Sequence, residues 1–301
     1  MDDEADAAGR AWWRDRRALP PAAVGVVLVA SGLAHVLVWA ALGGPWEGPV
    51  TWRKPILFGI SGGLTSLSLG WAFSTRPWRR FDLVLAWGVA LALAVEVAAI
   101  DLQRYRGVAS HFNRRTPFDS FLYDALGLLI VLVSLVALDL AVRSFLPPAR
   151  LVPDMLLAAR AGLVFLVISC GLGIWASVHG DLRATAGQAP ETLGAAGVVK
   201  FPHGAVIHAV QWLPALAWAA RRAGIAGGTR LRLVAAATLG TALVLAYALL
   251  QTLAGRPRVD GSLPFVLLLA AGICCLAVPA VAVAAAALKP RGTTPPGLSP
   301  G

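Results

Sequence analysis

Eight long apolar runs decide what this chain can fold into. They cover residues 21–43, 55–74, 82–102, 119–142, 156–178, 203–220, 230–253 and 263–288. A run of about 18 or more apolar residues reads as a membrane-spanning helix, because roughly 20 residues cross the hydrocarbon core. Lipid offers backbone N–H and C=O groups no partner, so each span must satisfy them internally. The short alternating segments of a membrane β-barrel are absent. The sequence therefore predicts an all-α integral membrane protein, a bundle of about eight transmembrane helices over residues 21–288. Residues 1–20 are read as a cytoplasmic N-terminal tail. Residues 289–301, rich in Pro, Gly, Ser and Thr, are read as a disordered cytoplasmic C-terminal tail. The first run is too long for a signal-peptide core and seven more follow it, so it reads as a retained anchor.

Net charge is +10. The basic residues are spread over many loops and form no nucleic-acid reader motif, so membrane topology explains them better than nucleic acid does. With the N-terminus inside, 16 of the 26 Lys and Arg fall on the cytoplasmic side. That bias favours N-in and C-in, in a cell membrane. It is held down by the segment from Gln103 to Asp119, which carries Arg104, Arg106, Arg114 and Arg115 on the outer side. The cytoplasmic loops read as ordinary anchors and turns: Arg76 to Arg80, the Pro147-Pro148 turn and the glycine-rich 224–228 turn. Cys170, Cys274 and Cys275 lie inside apolar runs without a Cys-x-x-Cys spacing, and read as small buried hydrophobes. Trp39, Trp46, Trp52, Trp71 and Trp78 fall near run ends, as interfacial anchors do.

A faint internal echo accompanies the runs. Ser31-Gly32-Leu33 in the first resembles Ser169-Cys170-Gly171-Leu172 in the fifth, and Lys54-Pro55 before the second resembles Lys200-Phe201-Pro202 before the sixth. Four helices per half would make a weak 4+4 parallel repeat.

Polar chemistry concentrates on the outer side. Glu96 sits inside an apolar run, where an ionisable group is costly and is a functional candidate by default. Gln103, seven residues on, lies two turns above it on one face. Gly107 permits a tight loop through Ser110, His111, Phe112 and Asn113, and Asp119 or Ser120 is placed to cap the next helix, with Asp124 in its first turn. The sixth run contributes His203, His208 and Gln211. At about 100° per residue all three share one side of a continuous helix, and Pro214 should bend it just below them. His35, one turn from Trp39, reads as packing, and Asp139 as a partner for Arg143 four residues on.

These residues define a candidate outward-facing polar cavity bounded by the second, third, fourth and sixth runs and the 103–119 loop. Glu96, Gln103, His111, Asn113, His203, His208 and Gln211 are its acid–base candidates. Lys54, Arg104, Arg106, Arg114, Arg115 and Asp119 are its binding candidates, by charge-assisted contact with an anion or by pairing among themselves. His111, His203 and His208 are also candidate ligands for a metal or haem. His203 and His208 are five apart, not the four that places two imidazoles on one metal, so a metal-free pocket is preferred. No P-loop, His-Glu-x-x-His, Asp-rich or Gly-x-Ser-x-Gly motif is present. Three function classes fit: an enzyme acting on an anionic or amphiphilic substrate at the outer leaflet, a proton- or ion-coupled transporter, and an accessory subunit. The partners expected are the bilayer and such a ligand. Inner helix halves that are nearly all apolar count against a path to both faces.

Overall fold

The computed structural model describes residues 12–147 and 151–289. The expected N-terminal tail up to residue 11, Pro148 of the expected turn, and the expected C-terminal tail beyond Lys289 lie outside these residues. In chain order, a 3-10 turn (Trp12–Arg14) leads to α1 (Leu19–Leu42), α2 (Arg53–Ser74), α3 (Asp82–Tyr105), α4 (Pro117–Ser144) and α5 (Pro153–Thr185). Strands β1 (Thr192–Leu193) and β2 (Gly197–Val198) follow, then α6 (Lys200–Val206), α7 (Ala209–Arg222), α8 (Gly227–Leu253) and α9 (Leu263–Leu288). The seven helices other than α6 and α7 are long and apolar enough to cross a membrane. The fold is thus an all-α, membrane-type one, and the sixth apolar run is divided between α6 and α7.

Helix limits follow local chemistry. Proline occupies the first turn of α1, α4, α5 and α9, where the missing N–H would have had no helical partner. Thr116 caps α4: its hydroxyl accepts from the Asp119 amide at 3.1 Å and donates to Asp119 Oδ2 at 2.8 Å. The expected cap at Asp119 or Ser120 is therefore corrected by one turn, because the Thr116 hydroxyl already meets the free amide. Gly107 ends α3 in the left-handed region at φ +70°, a conformation that suits glycine. The segment between the fifth and sixth apolar runs is helical in its first part. Helix α5 continues to Thr185 because its last turns carry polar groups, including Asp181. Beyond it the β1–β2 hairpin pairs Thr192 with Val198 and Leu193 with Gly197.

Helix α1 packs along α2 and also touches α3, and α3, α4 and α5 pack in succession. Helix α5 also meets α6, α7 and α8, and α9 lies along α8. Glycine makes the α1–α2 approach close. A Cβ on Gly59 would lie 2.7 Å from Gly32 Cα, and one on Gly63 would lie 2.6 Å from the Gly25 carbonyl oxygen. Small residues let membrane helices touch backbone to backbone in this way. One apolar core joins α1–α5 through Leu69, Phe73, Val89, Leu140 and Leu166. A second joins α5–α8 through Phe165, Val206, Leu213 and Val234. Cys274 is exposed on α9, not buried as expected, since that face meets no other helix.

The end of the bundle that carries Asp82 is not the plain charged rim its loops suggested. Asp82 is 1% exposed and receives Arg17 Nη1 at 2.9 Å and Arg143 Nη1 at 2.7 Å. Arg143 also meets Asp139 at 3.1 Å, as expected. Arg76 is 1% exposed and makes no ion pair; its Nε and Nη2 are buried without an acceptor. Asp154 takes Arg221 and Arg230 at 3.1 and 3.0 Å.

Candidate functional site

The opposite end gathers the sequence candidates, and the 106–116 loop is knitted by acids rather than left as a free basic patch. Gln103, 1% exposed, donates through Nε2 to Asp119 Oδ1 at 2.9 Å, and Arg106 Nη1 reaches the same oxygen at 2.8 Å. Arg106 Nη1 also donates to Gln103 Oε1. Arg114 pairs with Asp124 at 2.9 Å and with Asp181 of α5 at 3.3 Å, contacts that hold its guanidinium above the ordinary arginine range. Arg115 is exposed. Asn113 accepts from the Arg115 amide at 3.2 Å and donates to the Ala109 carbonyl at 3.0 Å, so its side chain shapes the loop.

His111 turns inward. Its ring lies 5.6 Å from Phe58 and 6.3 Å from Tyr123, and Ser110 Oγ sits 2.9 Å from its Nδ1. Burial, with Lys54 and Lys200 nearby, pushes it down to about 3, so the ring is neutral at ordinary pH. Phe112 adopts φ +55°, rare for an aromatic residue, and its ring fills the place where a Cβ on Gly180 would come within 2.5 Å. Helix α5 is thus a wall of the site, which the sequence reading omitted.

Two cations differ from the rest. Lys54 makes no ion pair; its Nζ donates to the Pro49 carbonyl at 3.2 Å. Lys200, by contrast, pairs with Glu191. Arg104 lies flat on Trp52, 3.9 Å from the ring centroid, and its buried Nε has no acceptor. Lys54 and Arg104 line one narrow crevice with Thr51, Ser110, Ile100 and Val108. No acid lines it, and the buried Thr51 Oγ1 also lacks a partner. The crevice is a narrow seam without space for a water molecule. Trp52 is 4% exposed, not interfacial, because Arg104, Tyr105 and His35 surround it. His35 Nδ1 donates to the Ser31 carbonyl at 2.9 Å, and Ser31 Oγ donates to Asp101 at 3.4 Å.

The sixth run breaks at Ile207–His208, not below Pro214. Pro214 removes only one amide from α7, which runs on to Arg222. At the break the Gln211 amide donates to the His208 carbonyl at 3.1 Å, a tighter i to i+3 turn. The histidines therefore reach different helices. His203 Nδ1 donates to the Ser169 carbonyl on α5 at 2.8 Å, while His208 Nε2 lies 3.2 Å from Ser61 Oγ on α2. His208 Nδ1 is 3.3 Å from Gln211 Oε1, and the buried Gln211 Nε2 has no partner. Among the described residues no three His, Cys, Asp or Glu side chains form a group able to hold a metal, so His111, His203 and His208 are not brought to one centre. Glu96 is 9% exposed in α3 and makes no hydrogen bond or ion pair. Ser61 and Thr51 carried no signal in the sequence, and the contact of Ser61 joins segments far apart in the chain.

No family model, curated protein or solved structure matches this chain.

Proposed function

We propose that the chain is a membrane-embedded enzyme whose site faces the outer leaflet and takes an amphiphile with an anionic head group. The observation that carries this reading is the pair of cations that make no ion pair, Lys54 and Arg104, on one crevice lined by no acid. Arg106 and Arg114 of the neighbouring loop, both exposed, already have carboxylates. An anion entering the seam would meet two positive charges, an unpartnered Thr51 hydroxyl and an unpartnered Arg104 N–H, all suited to charge-assisted bonds. Gly43, Gly44 and Gly48, all at positive φ, give the α1–α2 loop the freedom to open. Below the seam lie the acid–base groups Glu96, His203, His208 and Gln211.

The distribution of polar groups favours an enzyme over a transporter. Among the described residues the core that joins α1–α5 is built of apolar side chains such as Leu69, Phe73, Val89, Leu140 and Leu166, which supports a one-sided site. In this reading the protein lies in the cell membrane with both termini cytoplasmic, in accord with the basic-residue bias. The α6–α7 pair makes an eighth, broken crossing. A broken helix at mid-depth is tolerated where it borders a binding site. A 4+4 repeat is supported by matching neighbours: α1 meets α2 and α3 as α5 meets α7 and α8. Ser31 and Ser169, at equivalent places, each bond a histidine.

The test is a thermal-shift titration of the purified full chain with dodecyl phosphate. Ligand that binds only the folded state raises Tm. The wild type should be stabilised, and the Lys54→Gln, Arg104→Gln double variant should not. Equal stabilisation of both would overturn the head-group assignment.

A further inference from the structure

We infer that Ser61 is a nucleophile, with His208 as its general base and Gln211 as the group that orients the base, for acyl transfer from an ester-bearing amphiphile. The inference rests on the proposed site and adds the bond that the site breaks.

The geometry begins with the tautomer. Gln211 Oε1 can only accept, so at 3.3 Å it holds the proton of His208 on Nδ1. The lone pair of Nε2 then faces Ser61, whose Oγ is 3.2 Å away. A nucleophile within hydrogen-bond reach of a base, with a third group fixing that base, is the arrangement from which serine catalysis is built. The three residues come from separate places: mid α2, the α6–α7 break, and the first turn of α7.

Ser61 also behaves unlike the other hydroxyls of its helix. Ser68 and Ser74 donate to carbonyls of α2 itself, and Ser66 donates to the Pro21 carbonyl. Those are the usual solutions for a hydroxyl in an apolar helix. Ser61 instead meets an imidazole, and both partners are half-buried rather than sealed. A second observation points to a ligand. Gln211 Nε2 is buried with no acceptor, a donor left over beside the pair.

The spacing along α2 sets the substrate class. Lys54 and Ser61 are seven residues apart, two turns, on one face and separated by about 10 Å. A head-group anion at Lys54 would place Ser61 about 10 Å deeper along α2, beside a part of the amphiphile further from its head. In the reaction Ser61 Oγ bonds the ester carbonyl carbon while its proton moves to His208 Nε2. The ester C–O bond breaks, and the departing alkoxide takes that proton and leaves as an alcohol. Water then bonds the acyl carbon and gives a proton to His208; the acyl–Oγ bond breaks, His208 returns that proton to Ser61 Oγ, and a carboxylic acid leaves. No oxidant or reductant is needed.

The experiment uses a small uncharged fluorophosphonate on the purified full chain in mild detergent, read by intact and peptide mass. One adduct on Ser61 is expected in the wild type and none in Ser61→Ala. His208→Gln should slow labelling by about 10²-fold, the scale of a lost general base. Gln211→Leu should move the pH profile of labelling, which a purely structural contact would not. Size-exclusion profile and Tm identify variants that fail to fold, and for these the wild-type pH profile stands as the readout. No adduct on folded wild type, or an adduct that persists in Ser61→Ala, overturns the nucleophile. In that outcome the dodecyl phosphate titration still judges the head-group site separately.

Discussion

Arg143 grips Asp82 with two nitrogens, Nη1 at 2.7 Å and Nη2 at 3.0 Å, and both side chains are at least 96% buried. The pair ties the end of α4 to the start of α3, and Arg17 adds the segment before α1. Removing one member of a buried pair leaves a charge without compensation, at about 3–5 kcal/mol. Asp82→Asn takes the buried carboxylate from two guanidinium groups at once, leaving Arg17 with Asp15 and Arg143 with Asp139. It should lower Tm sharply or abolish the folded peak in size exclusion, while Asp124→Asn at the exposed Arg114 contact should change Tm little.

Arg76 makes the converse case. Burial first, then the nearby Arg160 and Arg143, pushes its guanidinium down to about 10. Its Nε and Nη2 have no acceptor. An unpaired buried cation is a liability that an apolar residue of similar length removes. Arg76→Met should therefore raise Tm, or leave it unchanged, where Arg143→Met lowers it. A loss at Arg76 as large as that at Arg143 would mean that Arg76 has a partner in the native membrane.

How much of this could be read beforehand depends on the range of each interaction. The spans were legible because about 20 apolar residues have one solution in lipid. The Asp139–Arg143 pair was legible because it is local. Arg17, Arg76 and Asp82 were not, since a charge in a short loop looks alike whether solvated or sealed. Pro214 drew attention to the wrong turn, because the break answers to contacts at His208 that lie on other helices. Ser61 was invisible for the same reason: its partner is 147 residues away, and one serine in an apolar run carries no pattern.

His111 gives a pH prediction with a definite sign. Its folded value is about 3, below the ordinary 6.5, so the unfolded chain binds the proton more readily between those limits. Stability should be complete above about pH 6.5 and fall as pH drops from there towards 3. Carboxylates contribute a parallel loss at the lower end, so the comparison needs a control. In His111→Phe, which keeps a ring among Phe58, Phe112 and Tyr123, the decline of Tm between pH 6.5 and 5 should be shallower than in the wild type. Equal slopes would show that the ring is reached by water when protonated.

Glu96 has no hydrogen-bond or ion-pair partner inside an apolar helix, so its carboxyl is expected to weaken the fold. Glu96→Leu should raise Tm, and Glu96→Gln should do so less, because an amide still loses its water there. If Glu96 is the acid–base group of the proposed reaction, both variants gain stability and lose turnover together. A loss of stability in Glu96→Leu would show that the carboxyl has a partner, such as a buried water.

The α1–α2 contact decides whether the seam can keep its shape, since Lys54 and Ser61 both stand on α2 and Gly59 lies between them. A side chain at Gly59 would press into the α1 backbone, with Gly32 Cα at 2.7 Å and the Leu28 carbonyl at 3.0 Å. Backbone cannot rotate away as a flexible side chain can, so the helices must separate. Gly59→Val should cost more than the ~1–3 kcal/mol of ordinary overpacking. Gly127→Ala on α4, where a Cβ meets nothing within 4 Å, should be neutral or slightly stabilising. The readout is twofold: Tm for the packing, and dodecyl phosphate stabilisation for the seam. Gly59→Val that folds should lose the ligand shift even though Lys54 and Arg104 remain, because turning α2 against α1 moves Lys54 relative to Trp52 and Arg104. Retained ligand stabilisation in that variant would mean that the two cations act independently of the α1–α2 crossing.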